Sequence, residues 1–249
     1  MKNLICISIS LLFTQQGISQ NTAAPTNIAA AYNLDRMADF RGLSNGELVL
    51  GIPMAPGKVV GDTYMSEDWK TGTIMLYEND KMLERYPIRY DIQANEIEIK
   101  ASNGIKVLQG QRIKSFTWIN SADSPPVYFI NAKDLKQEDG SVLTGFLQVL
   151  ADGRVPLFKK TFLTIKKADY NVSLNVGSTD DKILKKEEFY LLHDGKLVPV
   201  PSSKKKLMPF FGDQANAMEE FIKDNHVGLT KEYDLQVIFQ HFNSITARP

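Results

Sequence analysis

Five dipeptides, Asn45-Gly46, Asn103-Gly104, Asp139-Gly140, Asp152-Gly153 and Asp194-Gly195, punctuate this chain between apolar runs. Asn-Gly and Asp-Gly tolerate positive φ at both central positions of a type I′ turn, whose twist matches that of paired strands. Apolar runs joined in this way fold back on themselves as antiparallel hairpins. The runs themselves agree. TIMLY (73–77) leads through Asn79-Asp80 into KMLERY, and PIRYDIQ (87–93) leads through Ala94-Asn95 into EIEIK. In EIEIK, Ile97 and Ile99 alternate with charged residues, as in a half-buried strand. IKVLQG, RIKSFTWIN, VYFIN, SVLTGFLQVL, RVPLFKKTFLTIK, EEFYLL and KLVPV continue the series. No helical pattern of 10–15 residues separates successive strands, which argues against a parallel βαβ sheet. The expected fold is mainly β with α: an antiparallel meander sheet or open barrel followed by a short C-terminal helical segment.

The pattern changes after Pro201. Ser202 or Ser203 is placed to cap a short helix through KKKLM that stops near Pro209. Ala215, Met218, Phe221 and Ile222 recur at helical spacing, as do Leu235, Ile238, Phe239 and Phe242, the latter with Thr230 as the expected N-cap. At the other end, Lys2, the apolar stretch LICISISLLF and the small residues Gly17 and Ser19 flanking Ile18 have the layout of a secretory signal peptide. The stretch is shorter than the roughly 20 residues that span a bilayer. The expected organisation is a signal peptide (1–19), a partly helical or flexible segment (20–42), an antiparallel β domain (43–201) and C-terminal helices packed on it (202–249). Cleavage between Ser19 and Gln20 would deliver the protein to the periplasm or the outside of the cell. The single cysteine, Cys6, lies within the signal and lacks a lipoprotein context, so the mature chain has no thiol chemistry and no disulfide.

Charge narrows the function. Lys+Arg and Asp+Glu both count 29, whereas a nucleic-acid binder carries a basic excess. The lysine cluster 204–206 and the pairs Lys159-Lys160, Lys166-Lys167 and Lys185-Lys186 are scattered and read as solvated faces. No later segment is apolar enough to span a membrane. The three histidines, His193, His226 and His241, are not spaced as zinc ligands on a helix, so no metal or cofactor is expected. G-x-S-x-G, G-x-G-x-x-G and P-loop patterns are missing. His193 stands beside Asp194, but LLHDGKLVPV repeats the layout of VLADGRVPLF, where Ala151 takes the histidine's place. His193 is therefore read as a hairpin corner, and no catalytic residue is assigned. The carboxylate pairs Glu67-Asp68, Asp180-Asp181, Glu187-Glu188 and Glu219-Glu220 do not make a glycosidase site by adjacency, because neighbours on a strand point to opposite faces.

Tyr64, Trp69, Tyr77, Tyr86 and Tyr90 gather in the first sheet segment. Aromatic rows on strands pack against one another, and they also bind sugars or lipids. Tyr64, Trp69, Tyr77 and Tyr90 are the ligand-binding candidates. The residues Gly61, Tyr64, Trp69 and Gly72, then Arg89, Tyr90 and Asp91, follow G-x-x-Y-x-x-x-x-W-x-x-G and R-Y-D. Gly145-Phe146, Val149-Leu150, Asp152-Gly153 and a helical end at Phe242-Asn243 come after them. This pattern, over most of residues 55–243, resembles a broad group of uncharacterised exported proteins of Bacteroidota-type bacteria. The resemblance implies export and a β-rich fold and assigns no site.

Three functions fit the sequence. The first is a non-enzymatic exported protein that binds an unidentified protein or small-molecule partner, or helps assemble the envelope. The second is a carrier of an apolar ligand or glycan on a curved sheet. The third is a hydrolase with a carboxylate site that only the fold brings together.

Overall fold

The computed structural model describes residues 57–121, 123–171 and 174–246. The expected signal peptide, the 20–42 segment, the β domain as far as residue 56 and the Asn45-Gly46 turn lie outside these residues. Twelve strands form one sheet. They are β1 (Val59–Val60), β2 (Lys70–Leu76), β3 (Met82–Asp91), β4 (Glu96–Ala101), β5 (Gly104–Gln109), β6 (Ile113–Ile119), β7 (Val127–Asn131), β8 (Lys136–Gln137), β9 (Phe146–Ala151), β10 (Leu157–Lys166), β11 (Asp181–His193) and β12 (Lys196–Pro199). The order across the sheet is β5-β4-β3-β2-β6-β7-β9-β10-β11-β12-β8, with β1 on β11. Only the β1–β11 and β12–β8 pairings are parallel. The fold is thus mainly β, largely an antiparallel meander, with a short helical C-terminus. The sheet is open.

Alternation sets the first half of the sheet. Ile97 and Ile99 of β4 are buried while Glu96 and Glu98 point away. Ile74, Ile88, Tyr90, Phe116, Trp118, Phe129 and Phe146 share the same core. Its rings interlock: Phe116 stacks on Phe129 with centroids 4.4 Å apart, and Tyr90 meets Phe146 edge-on at 5.2 Å. The second half is buried on both faces. Leu157, Leu191 and Val198 pack under the helices, and their chain neighbours Phe158, Tyr190 and Leu197 pack with Ala132 and Leu147 on the other side.

The helices are α1 (Lys204–Leu207), a 3-10 turn (Met208–Gln214), α2 (Ala215–Asp224) and α3 (Glu232–Thr246). The expected stripe of α3 is fully used: Leu235, Ile238, Phe239 and Phe242 are all buried, each burial worth roughly 1.5–3 kcal/mol. Three local expectations change. The Lys231 carbonyl, not that of Thr230, takes the first bond of α3, from the Leu235 amide. Ser203 occupies the N-cap of α1 without a side-chain bond. Pro209 sits inside the 3-10 turn rather than stopping it, because the first turn of a helix has no need of its missing N–H.

Turn chemistry is also uneven. Asp194 and Gly195 have φ 49° and 73°, and Asn79 and Asp80 have 54° and 51°; both pairs make tight hairpin corners. In the Asn103-Gly104 segment the loop residues are Ser102 and Asn103, and Gly104 already pairs with Ala101. Asp152-Gly153 begins a longer connection between β9 and β10. That connection is held from outside. Asn243 on α3, 8% exposed, accepts from the Val155 amide at 3.0 Å and donates to the Val155 carbonyl at 3.1 Å. Gln236 donates to the Leu150 carbonyl at 3.1 Å. The polar residues of α3 thus fix its register on β9 and β10.

Two further features shape the sheet. Residues 57–65 form a strap. Val59 and Val60 pair with Asp181 and Lys182 of β11. The Met65 amide donates to the Tyr90 carbonyl, and the Ile92 amide donates to the Thr63 carbonyl, both at 2.9 Å. β11 and β3 have five strands between them in the sheet order, so the sheet curls and the strap ties together two strands that lie far apart in it. The second feature is an open seam. β10 pairs with β11 along ten residues, from Leu157 to Lys166, but with β9 only through Lys159.

Replacing Asn243 by Ala leaves a buried N–H and C=O at Val155 without partners, each costing roughly 1–3 kcal/mol. Asn243→Ala is expected to lower stability by at least about 2 kcal/mol in urea unfolding with an unchanged slope. Ser244→Ala, one residue on and exposed, is expected to stay within about 0.5 kcal/mol. Equal midpoints for the two variants would contradict the clamp.

Candidate functional site

The seam between β9 and β10 opens a cleft of ≈ 380 Å³. One wall is the free edge and side chains of β10, namely Lys160 to Leu163 and Ile165, with Ile183 of β11 behind them. The opposite wall is the end of β3 and its turn: Tyr90, Ile92, Gln93 and Asn95. Thr144 and Gly145, which lead into β9, close one end. Gly145 is required there. Its φ is 81°, and a Cβ on it would lie 2.7 Å from the Tyr90 hydroxyl and 2.8 Å from Lys160 Nζ.

Tyr90, Asn95 and Lys160 converge at Gly145. Tyr90 Oη donates to Asn95 Oδ1 at 3.1 Å. Lys160 Nζ donates to the Thr144 carbonyl. Among the described residues, Lys160 makes no ion pair. Burial without a counter-charge pushes its amine down to about 8. Burial likewise moves the Tyr90 phenol up from its ordinary value, so it stays neutral and able to donate. Among the described residues, the cleft therefore presents one amine, one phenol, two amides and two threonine hydroxyls against apolar walls, with no carboxylate in its lining.

The four aromatic candidates do not converge. Tyr64 and Trp69 come together around Arg89, whose guanidinium lies 3.7 Å and 4.7 Å from their ring centroids. Glu98 completes that cluster, 2.6 Å from Arg89 Nη2 and 3.0 Å from the Tyr64 hydroxyl; this bond to Glu98 moves the Tyr64 phenol upward. The ring faces are thus engaged with a cation of the protein itself. Tyr90, the next residue on β3, points to the opposite face, into the core and the cleft. Tyr77 stands elsewhere, its hydroxyl donating to Asp134 at 2.7 Å and its ring under Lys133.

Lys159 and Lys160 are not the solvated pair that the sequence suggests. Lys159 has a side chain only 12% exposed and bonds Glu232 of α3 at 2.9 Å and Glu187 of β11 at 3.3 Å. The missed signal was position: two lysines inside LFKKTFLTI, a run whose adjacent residues are buried on both faces. Glu187 and Glu232 line a second, smaller hollow of ≈ 330 Å³. They are two carboxylates on one hollow. Lys159 Nζ sits between them, where a glycosidic oxygen would have to lie. Glu187's neighbour Glu188 points the other way and accepts from Tyr190 Oη at 2.8 Å. Burial, followed by that bond, pushes the Tyr190 phenol up to about 12.

The histidines lie apart. His193 ends β11, 3.4 Å from Asp194 and edge-on to Phe210 at 5.1 Å. His226 sits past the end of α2, and His241 stacks on Phe221 at 3.8 Å. Among the described residues, no three His, Cys, Asp or Glu side chains gather as a metal would need, and no helix is long and apolar enough to cross a membrane. No protein-family model, curated protein or solved structure matches the chain.

His193 is half-exposed at a corner whose backbone is set by Asp194 and Gly195. His193→Ala is expected to change stability by no more than about 0.5 kcal/mol. Gly195→Val, which forces a β-branched residue to positive φ, is expected to cost clearly more, on the order of 1–3 kcal/mol. Thermal or urea unfolding of the two variants checks this, and the reverse ranking would refute the corner reading.

Proposed function

We propose that the protein is exported and acts by binding rather than catalysis, and that its ligand has an apolar body held in the cleft beside β10. The observation that carries this reading is the cleft itself. A volume of ≈ 380 Å³ falls in the range of small-molecule sites, which combine apolar walls with a few placed polar groups. Ile92, Phe162, Leu163, Ile165 and Ile183 supply the walls, and the polar groups gather at one end. The hydrolase reading is weaker, because the Glu187–Glu232 pair is already bridged by Lys159. The carrier reading gains more from this cleft than from the Tyr64–Trp69 cluster, whose ring faces Arg89 already engages. Export rests on the N-terminal sequence, from Lys2 through Ser19.

The test is to recover the protein from the exported fraction of its native cell. N-terminal mass spectrometry is expected to find Gln20, and organic extraction is expected to release an apolar compound in near-stoichiometric amount. Phe162→Glu puts a charge against that ligand and is expected to reduce the recovered compound at least about tenfold. An intact Met1 in the exported protein would sink the export claim. Absence of any bound compound, together with no uptake of added lipids, would sink the binding claim.

A further inference from the structure

We infer that the cleft is a carboxylate site: the Lys160 ammonium takes the head of an amphiphilic monocarboxylate whose apolar body lies along Phe162, Leu163 and Ile165. The inference rests on the reading of the cleft as a binding site and adds the chemical class of the ligand.

Charge complementarity carries it. Lys160 is the only charged side chain in the lining. Among the described residues, every other half-buried lysine of this sheet has a carboxylate: Lys159 has Glu187 and Glu232, Lys70 has Asp68, and Lys114 has Asp80. Lys160 has only the neutral Thr144 carbonyl. Lys160 is half-buried, and an ammonium partly withdrawn from water without a counter-charge carries a cost that pairing removes. The cross-strand neighbour of Lys160 on β11 is Glu188, which would be the natural partner. Its carboxylate is exposed and taken by the Tyr190 hydroxyl instead. From β3, the group that faces Lys160 is the neutral Tyr90 phenol, and from the segment before β9 it is the backbone at Thr144 and Gly145.

The arrangement also fixes orientation. Lys160, Tyr90 and Asn95 stand together at the Gly145 end, and Ile165 and Ile183 mark the apolar remainder. A carboxylate at the Gly145 end would accept from Lys160 Nζ, with the Tyr90 hydroxyl and the Asn95 amide within the same cluster. A Cβ at position 145 would fill that spot, which gives its glycine a role in ligand access as well as in backbone geometry.

The experiment compares dodecanoate, dodecanol and dodecyltrimethylammonium, each below its micelle concentration, by titration calorimetry on the mature protein at pH 7. Dodecanoate is expected to bind at least about tenfold more tightly than dodecanol, since a hydrogen bond to a charged group outweighs a neutral one. Lys160→Met is expected to erase that preference while keeping dodecanol binding. Lys160→Arg is expected to keep it. In the unaltered protein, dodecanoate affinity is expected to be level between roughly pH 6 and 7, where the ligand carboxylate is ionised, and to fall as pH rises through 8, because the free amine titrates at about 8 and the ligand binds its charged form. The arginine variant is expected to show no such fall. This pH profile needs no variant, so it stands even if Lys160→Met fails to fold. Equal affinity for dodecanoate and dodecanol overturns the carboxylate assignment and leaves the apolar-ligand reading intact. Binding of none of the three overturns both. Preference for the trimethylammonium compound, or for an extended peptide that binds equally well with its C-terminus amidated, also overturns the assignment.

Discussion

β10 is paired along its whole length on one side and along three residues on the other. An unpaired strand edge offers free N–H and C=O groups, and proteins usually blunt such edges or cover them. Here the cover is partial. The β3–β4 turn approaches without pairing, the strap of residues 57–65 binds β11 and β3 but leaves β10 alone, and the space between becomes the cleft. If β9 continued its ladder past Lys159, the sheet would have no seam, and Lys160 would face an ordinary cross-strand neighbour.

The seam begins where two lysines meet. Strand alternation sends adjacent side chains to opposite faces. Lys159 therefore reaches the side that carries α3 and is neutralised there by Glu187 and Glu232. Lys160 is turned toward Thr144, where no acid waits. The first lysine locks the helical layer to the sheet, together with the Asn243 clamp on Val155. The second is left available. One pair of identical residues thus divides between holding the fold and equipping the cleft, and the division follows from backbone geometry alone.

Much of this fold was legible in the sequence for identifiable reasons. Ile97 and Ile99 announced β4 by alternation, and Asp194-Gly195 announced the β11–β12 corner by the φ values it tolerates. Leu235, Ile238, Phe239 and Phe242 announced the buried face of α3 by their period. β1 and β8 were not legible, because two residues carry no period, and they pair in parallel with strands distant in the chain. The cleft was equally hidden. Of the four aromatic candidates only Tyr90 lines it, and its other polar members, Gln93, Asn95, Thr144, Lys160 and Thr161, are separated by up to 68 positions in the numbering of the chain. Nothing local marks the point where a ladder stops.

The central claim is that the broken β9–β10 ladder creates the ligand site. Amide NMR of the protein titrated with dodecanoate tests it most directly. The account predicts shifts concentrated at residues 90–95, at Thr144 and Gly145, and at residues 160–165, with Tyr64, Trp69 and Tyr77 unmoved. Shifts centred on the Tyr64–Arg89–Trp69 cluster, or spread evenly over the sheet, would contradict it.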